Sequence, residues 1–484
     1  MQRIRALEDS VERLSIENEN LCRENNSLIE KYNCLKSMSS RNSSTPPSKD
    51  PPYKPNTNKE KPNPEAASRN KDKEKKPSGG QKGHKGFRLE PVETPDDILF
   101  HYLDYTPDGI KLSGDDILKF EERQEFEIPK PGIVVTAHRA AIYKHPITGK
   151  LIRAPFPKGL EGQTNYGPNI KAIALNLHVA HLIPLKRTTQ VLKDLFGVKM
   201  SQGTLVNLKN AASVNLKPFQ EEALQALLGA ERINCDESGL RVMTKNYWCH
   251  IYASNLVCLF FCHQKRGTQA MEELDILSKY TGKLIVDFFA SYRKVAAMAA
   301  LYYCIIHIVR ELRSVHDQTN ESWAQKLIAH FYDGLEMKEE SGGAVSAKQK
   351  EEWMEKFESL LEEGSKLNPE PPDPPPGKKK RGRKKRTKGG NLILRLKTHK
   401  KGYTQFLSDR AIPFTNNDAE RPIRMLKVQQ KVSGCFRELA SSQDFLLMRG
   451  YIETLRKNGK DVFDGLIESI KGNVPNLAQI TGPE

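Results

Sequence analysis

Four runs decide the fold: ERINCDESG (Glu231–Gly239), YWCHIYAS (Tyr247–Ser254), LVCLFFC (Leu256–Cys262) and KLIVDFF (Lys283–Phe289). Each is short, rich in β-branched and aromatic residues, and bounded by charged or turn residues, which is the pattern of buried strands. The first three follow one another closely, as an antiparallel meander does. The fourth arrives after a helical stretch, TQAMEELDILSKY, and a glycine, so it is expected to cross over to a parallel position in a mixed sheet. Two of the runs close on a carboxylate, Asp236 after RINC and Asp287 after KLIV. A buried strand that ends in a charge is costly unless the charge is paired or binds a cation. Adjacent strands would bring the two carboxylates to one sheet edge, an arrangement suited to hard divalent cations. A third ligand is available in TNNDAERPIRMLKV, where Glu420 lies in a helix beginning near Asn416 or Asn417. The competing reading of each acid alone is a solvated residue at the end of an element.

Outward from this block the chain is helical on both sides. Upstream, RTTQVLKDLF and SQGTLVNLKNAA are joined by the short turn Gly197–Met200, with Ser201 as an N-cap. This outlines a helix-turn-helix whose second helix would offer Gln202 and Asn207 to a major groove, although any helical hairpin looks similar. Downstream, a helical segment is expected from Tyr292 to Arg313. A long insertion follows, helical at first (Glu321 to Leu367), then a proline run and KKKRGRKKRTK, in which nine of eleven residues are basic. Lys378, Lys379, Lys380 and Arg381 open that tract, and a mobile polycation binds phosphate without sequence preference. Helical material closes the chain from Asn416.

The amino-terminal half reads differently. Leu7, Leu14, Leu21, Leu28 and Leu35 recur every seven residues, with Ile4, Val11, Asn18, Asn25 and Tyr32 three positions before each. This is a heptad pattern for a parallel two-stranded coiled coil, with an amphipathic helix docked on its own chain as the alternative. Residues 38–88 are a Ser-, Asn-, Pro- and Lys-rich linker. It ends in GGQKGHKGFR (Gly79–Arg88), readable as a basic phosphate clamp or as more linker. Residues 89–160 read as a small β-rich module, with runs such as GIVVTAHRAAIY between turn signals.

The 484 residues carry a formal charge of +16, with 37% hydrophobic and 28% charged residues. That composition excludes a membrane protein, and Val295 to Ile306 falls short of a membrane span. The polar start MQRIRALEDS shows no signal peptide, and the eight cysteines form no Cys-x-x-Cys pair, so reduced thiols in the cytoplasm are expected. The basic excess favours an acidic polymer, nucleic acid first.

The sequence resembles the transposases of the insertion sequence 66 family over nearly its whole length. The segments that carry the resemblance are the leucine heptads followed by NSSTPPSKD, then GGQKGHKG, then YGPNIKAIALNL through FGVKMSQGTL. They continue with CDESGLRV plus Trp248, GKLIVDFFASY, CIIHIVREL and PFTNNDAERPIRMLKVQQKVSGCFR. The resemblance implies an α/β catalytic core of the RNase H-like class, a mixed sheet with helices and a helical, basic insertion. It implies a DDE triad falling on Asp236, Asp287 and Glu420, with two Mg²⁺ (or Mn²⁺) ions for cleavage and strand transfer at element ends. The implied organisation is a leucine zipper (1–37), linker (38–88), β-rich module (89–160), helical DNA-binding region (161–228), catalytic domain (229–435, insertion about 314–400) and helical tail (436–484). Arg421, Arg424, Lys427 and Lys431 would face the DNA backbone from one side of a helix. Partners would be double-stranded DNA, a second copy through the zipper and possible accessory transposition proteins. A DNA-binding regulator without cleavage activity is the alternative.

Three departures stand out. Relatives carry Cys-x-x-Cys knuckles before the helix-turn-helix, and this chain has no cysteine between Cys34 and Cys235, so the β-rich module is a degenerate zinc-finger region and no zinc is expected. Thr415 stands where many relatives have Asp. Cys304, His307 and Arg310 are kept from a Cys-Trp-Ala-His-x-Arg-Arg pattern, but Ile305 and Glu311 are not. Cys304 and His307, one helical turn apart, are read as helix packing rather than a metal half-site.

Overall fold

The computed structural model describes residues 162–371 and 386–482, together with parts of 92–160. The heptads, the linker, the Gly79–Arg88 stretch and Lys378–Arg381 lie outside the described residues. The chain divides into two compact units, Pro51–Ile133 and the remainder. In the former, the Gln124 amide closes on both backbone groups of Val92, at 2.8 and 2.7 Å.

The larger unit begins with an antiparallel hairpin, β1 (Ile142–Lys144) and β2 (Leu151–Arg153), around the HPITG turn. Of the run GIVVTAHRAAIY, only its end is strand. Then come α1 (Pro168–Leu175), continued by a π-helical turn over Asn176–Ala180, α2 (Leu185–Phe196), α3 (Gln202–Asn215) and α4 (Lys217–Leu228). Gly197 stops α2 in the left-handed region at φ +70°, where a Cβ would be penalised, and the Ser201 hydroxyl caps α3 by accepting from the Thr204 amide at 3.0 Å.

The core is a five-stranded mixed sheet built from β3 (Arg232–Val242), β4 (Lys245–Ala253), β5 (Cys258–His263), β6 (Lys283–Val286) and β7 (Ala300–Tyr303), in the order β5-β4-β3-β6-β7. β3, β4 and β5 form the antiparallel meander expected, and β6 joins β3 in parallel after α5 (Thr268–Leu274). The β3–β4 turn is made by Met243 and Thr244, both at positive φ (49° and 62°), the twist that two-residue hairpins need but that non-glycine residues adopt at a cost.

Two expectations are corrected. Tyr292 to Arg313 is not one helix: α6 (Ala290–Val295) is short, β7 follows, and α7 (Ile305–Thr319) starts only after it. The four residues Ala300–Tyr303 pair with β6 along Lys283↔Ala300 to Val286↔Tyr303, so sheet hydrogen bonding overrides the helical pattern around them. Asp236 does not close its strand either. β4 pairs with β3 from Asn234↔Ala253 to Val242↔Lys245 and extends β3 six residues beyond Asp236.

The helices after β7 are α7, α8 (Ser322–Glu340), α9 (Ala347–Leu367), α10 (Lys388–Thr398), α11 (Lys400–Thr404), α12 (Asn417–Ser433), α13 (Leu439–Lys457), α14 (Val462–Lys471) and α15 (Leu477–Thr481). α8 and α9 pack on each other through fully buried Trp323, Phe331 and Phe357. Close approach is possible because Gly364 lies where a Cβ would come 2.7 Å from the Trp323 ring. α12 lies along β3 and β4, and α13 along β5. The guanidinium of Arg449 in α13 is fully buried; it donates to the carbonyls of Val179 and Ala180 and pairs with Glu453. No helix among the described residues is long and apolar enough to cross a membrane.

Candidate active site

β6 pairs with β3 only over Arg232–Asn234. Beyond Asn234 no strand of the sheet continues on that side of β3; the segment carrying α12 takes its place, and Asp236 lies where β6 gives way to it. Asp287 follows the last residue of β6, and its Oδ1 accepts from the Phe289 amide at 2.8 Å. Glu420 is buried in the first turn of α12, where the unpaired amides of a helix start favour a carboxylate.

α12 is tied to β3 at both ends. At its start, the Asn416 side chain donates to the Cys235 carbonyl at 2.7 Å and accepts from Asn234 at 2.8 Å, while Arg232 pairs with Asp418 at 2.8 Å. Beyond its end, the backbone of Phe436 exchanges hydrogen bonds with Arg241 and Met243 at 2.9 and 2.8 Å. Between these ties, Lys427 Nζ donates to the Gly239 carbonyl at 2.9 Å.

Asp236 sits in a crowd of negative charge. Burial, then the carboxylates of Glu237, Asp287 and Glu420, push its pKa from 3.8 to about 8, against the opposing hydrogen bond from the Glu237 amide. Of the three sequence-predicted acids, from a central strand, a strand end and a helix start, Asp287 and Glu420 thus each lie within electrostatic reach of Asp236.

Glu237 is a fourth acid that the sequence reading passed over. It is buried, accepts from the Tyr292 hydroxyl at 2.6 Å, and pairs with Arg266 at 2.7 Å. Arg266 stacks on Trp248 and Phe289, 5.0 and 4.3 Å from the ring centroids. Burial, then Asp287, raises the Glu237 pKa. Its adjacency to Asp236 was visible; its partners Tyr292 and Arg266 come from two other segments and were not.

Beside Asp287 opens a cavity of about 260 Å³, with Arg266, Phe288, Cys304, His307 and Glu311 in its wall. Cys304 and His307 also come close to Glu420 of α12. Cys304 Sγ lies 3.9 Å from Glu420 Oε1 and His307 Nδ1 also 3.9 Å from it, while Arg424 holds Glu420 Oε2 at 2.6 Å. Cys304, His307 and Glu420 offer ligand atoms that all lie within 4.8 Å of one another.

The basic residues of α12 fare differently. Arg421, Arg424, Lys427 and Lys431 are exposed. Arg424 is engaged by Glu420 and Lys427 by the β3 backbone. On α3, Gln202 and Asn207 are exposed, whereas Lys209 and Ser213 turn inward to Ser441 and Asp444 of α13.

A mixed sheet with acids gathered from β3, the end of β6 and α12 is compatible with a nuclease-like α/β protein. A family model described as Transposase IS66 family matches residues 163–444, more than half of the chain, and the chain belongs to that family. Membership places it among enzymes that process nucleic acid. No curated protein matches the chain at a significant level.

Proposed function

We propose that this chain cuts and joins DNA at the ends of an insertion sequence by divalent-metal-dependent phosphoryl transfer. Asp236, Asp287 and Glu420 would act as a DDE set on an RNase H-like sheet. The observation that carries the reading is the charge crowding at Asp236. Carboxylates from the end of β6 and the start of α12 both act on buried Asp236 where β6 gives way to α12 along β3, a cost that a structural role does not explain and cation binding would relieve. The strand order supports it, with a central strand flanked by an antiparallel meander on one side and two parallel strands on the other.

The donors fit the cation class. Three carboxylate oxygens suit hard Mg²⁺ or Mn²⁺. A pair of such ions would lower the pKa of an attacking water or 3′-hydroxyl and stabilise the leaving oxygen. Asp236 and Asp287 would hold both ions, and Glu420 would complete the second site, its carboxylate steadied by Arg424. Arg421 and Lys431, exposed on the same helix, would take the DNA backbone near the cut. Gln202 and Asn207 of the helix-turn-helix would face the groove, and Lys378–Arg381 would add non-specific attraction. Pairing of two copies through Leu7, Leu14, Leu21, Leu28 and Leu35 would bring two element ends together, in the cytoplasm where the DNA lies.

The test is Glu420→Gln, assayed on the element's own ends with Mg²⁺ or Mn²⁺. Cleavage should fall by orders of magnitude while DNA binding holds or tightens slightly, because one charge repelling phosphate is gone. Wild-type protein that binds those ends yet neither nicks nor joins them would favour a non-cutting regulator.

A further inference from the structure

We propose that Cys304, His307 and Glu420 form a second metal site, selective for a thiophilic divalent cation such as Zn²⁺, whose occupancy withdraws Glu420 from the phosphoryl-transfer site. The withdrawal rests on the function proposed above; the binding does not.

The site is built from two elements that the sheet fixes together. Cys304 is the residue between β7 and α7, and His307 stands one turn into the helix. The Cys304 amide donates to the Val286 carbonyl at 3.0 Å, and the Ile305 amide to the Phe414 carbonyl at 3.0 Å, which ties this corner to the segment leading into α12. From that segment the Asn416 amide reaches Cys304 Sγ at 3.3 Å, and Glu420 follows one turn later. The three ligand atoms therefore converge from 116 residues apart without help from any long flexible side chain.

Their spacing is close to what a tetrahedral ion needs. Metal–ligand lengths of about 2.3 Å to sulfur and ~2.0 Å to nitrogen or oxygen imply ligand separations of roughly 3.5 Å and ~3.3 Å. Both separations from Glu420 Oε1 are 3.9 Å, about half an ångström above these values, and the Cys304 and His307 ligand atoms lie within 4.8 Å of each other, so side-chain torsions can bring the three together.

Two further features point to a cation. His307 Nδ1 is buried and makes no hydrogen bond, its distance to Glu420 being too long for one. A buried ring nitrogen left without a partner beside a thiol and a carboxylate is what a metal would satisfy. Glu420 also divides its oxygens, Oε2 to Arg424 and Oε1 toward Cys304 and His307. The fourth position would open on the cavity that Cys304 and His307 line, where water or a phosphate oxygen could complete the shell.

Ligand chemistry separates the two sites. A thiolate and an imidazole select Zn²⁺ or Co²⁺ over Mg²⁺, while carboxylates alone select Mg²⁺ or Mn²⁺. Coordination requires the thiolate, so the Cys304 proton leaves to solvent on binding. With Oε2 held by Arg424, Oε1 is the oxygen left for either site, so an ion on Cys304 and His307 takes it from the other. This departs from the expectation that the chain uses no zinc, which rested on the missing cysteines of the amino-terminal module and on reading Cys304 and His307 as helix packing.

The experiment uses the full chain and Co²⁺ as the optical probe. Wild type should give a thiolate-to-cobalt charge-transfer band that Zn²⁺ abolishes and millimolar Mg²⁺ does not. Cys304→Ser should lose the band, and His307→Gln should weaken Co²⁺ affinity roughly tenfold or more. Both variants are checked for native circular dichroism and melting, and either one, once folded, decides the binding claim. A folded Cys304→Ser protein that keeps the full band, or a His307→Gln protein with unchanged affinity, overturns the site. In the second arm, one equivalent of Zn²⁺ should depress Mn²⁺-supported DNA cleavage in wild type, and less in Cys304→Ser relative to that variant's own rate. Cleavage indifferent to Zn²⁺ while the band depends on Cys304 overturns the withdrawal. A Cys304-dependent band in a protein that never cleaves DNA keeps the metal site and removes the function proposed above.

Discussion

Replacing Asp236 by Asn should stabilise the protein in chelator, and only above acid pH. The unfolded carboxyl gives up its proton near 3.8, whereas the folded one holds it to about 8. Between those values the folded state binds more protons than the unfolded, so the wild type loses stability as pH rises through that window and levels off above it. Fully expressed, the shift corresponds to roughly 6 kcal/mol against the charged form. The side chain keeps partial exposure and can turn toward water, so a gain of ~2–3 kcal/mol for the variant is expected at pH 8.5, and almost none near pH 4. Asn keeps the size and still accepts from the Glu237 amide, as Asp236 Oδ1 does at 2.8 Å. Urea or thermal unfolding of both proteins in EDTA across this range measures the difference. Mn²⁺ added in place of chelator should raise the melting temperature of wild type more than that of the variant. A variant equal to or weaker than wild type at pH 8.5, or a gain that does not change with pH, would refute the crowding at this edge.

Arg449→Met should cost about 3–5 kcal/mol, since it strands the Val179 and Ala180 carbonyls and part of the Glu453 charge in a dry interior; denaturant midpoints check it. Gly364→Ala should destabilise α8–α9 by ~1–3 kcal/mol despite the better helix propensity, because the new methyl meets Trp323. The pair Met243→Asn and Thr244→Gly should raise the melting temperature, worth about 1 kcal/mol, by relieving two left-handed residues at the β3–β4 turn. Arg421→Ala with Lys431→Ala should weaken DNA binding for every sequence tested and flatten its salt dependence by about one to two in log–log slope, as a titration of salt against affinity would show.

The meander and the parallel crossover were legible because each strand is a compact apolar run and its spacing from the next selects the connection. β7 was not, because four residues between two helical stretches carry no period of their own; only the hydrogen bonds offered by β6 make Ala300–Tyr303 a strand. Asp236 was legible as an acid on a buried strand but misplaced at its end. How far β3 runs depends on β4 rather than on β3's own residues. Glu420 was legible through the helix it begins. Its approach to Cys304 and His307 was not, since nothing in a three-residue spacing announces a third ligand from another helix. Of the basic row on α12, Arg421 and Lys431 stand exposed on the helix face, as the spacing suggests. Arg424 and Lys427 show that spacing alone cannot tell a side chain that meets solvent from one that turns back to its own fold.

The two ties between α12 and β3 separate the geometry of the first and third acids from everything inserted between the second and the third. The 133 positions from Asp287 to Glu420 include α7 to α11 and the basic tract. Yet the registration of Glu420 against Asp236 is set by Asn416 at one end of α12 and Phe436 at the other, both fastened directly to β3. The part of that segment from α8 to α11 is in effect a tethered cargo, open to lengthening, shortening or exchange as long as its last residues deliver Asn416 to the strand. A chain built this way can change what it grips between its acids without retuning the acids themselves.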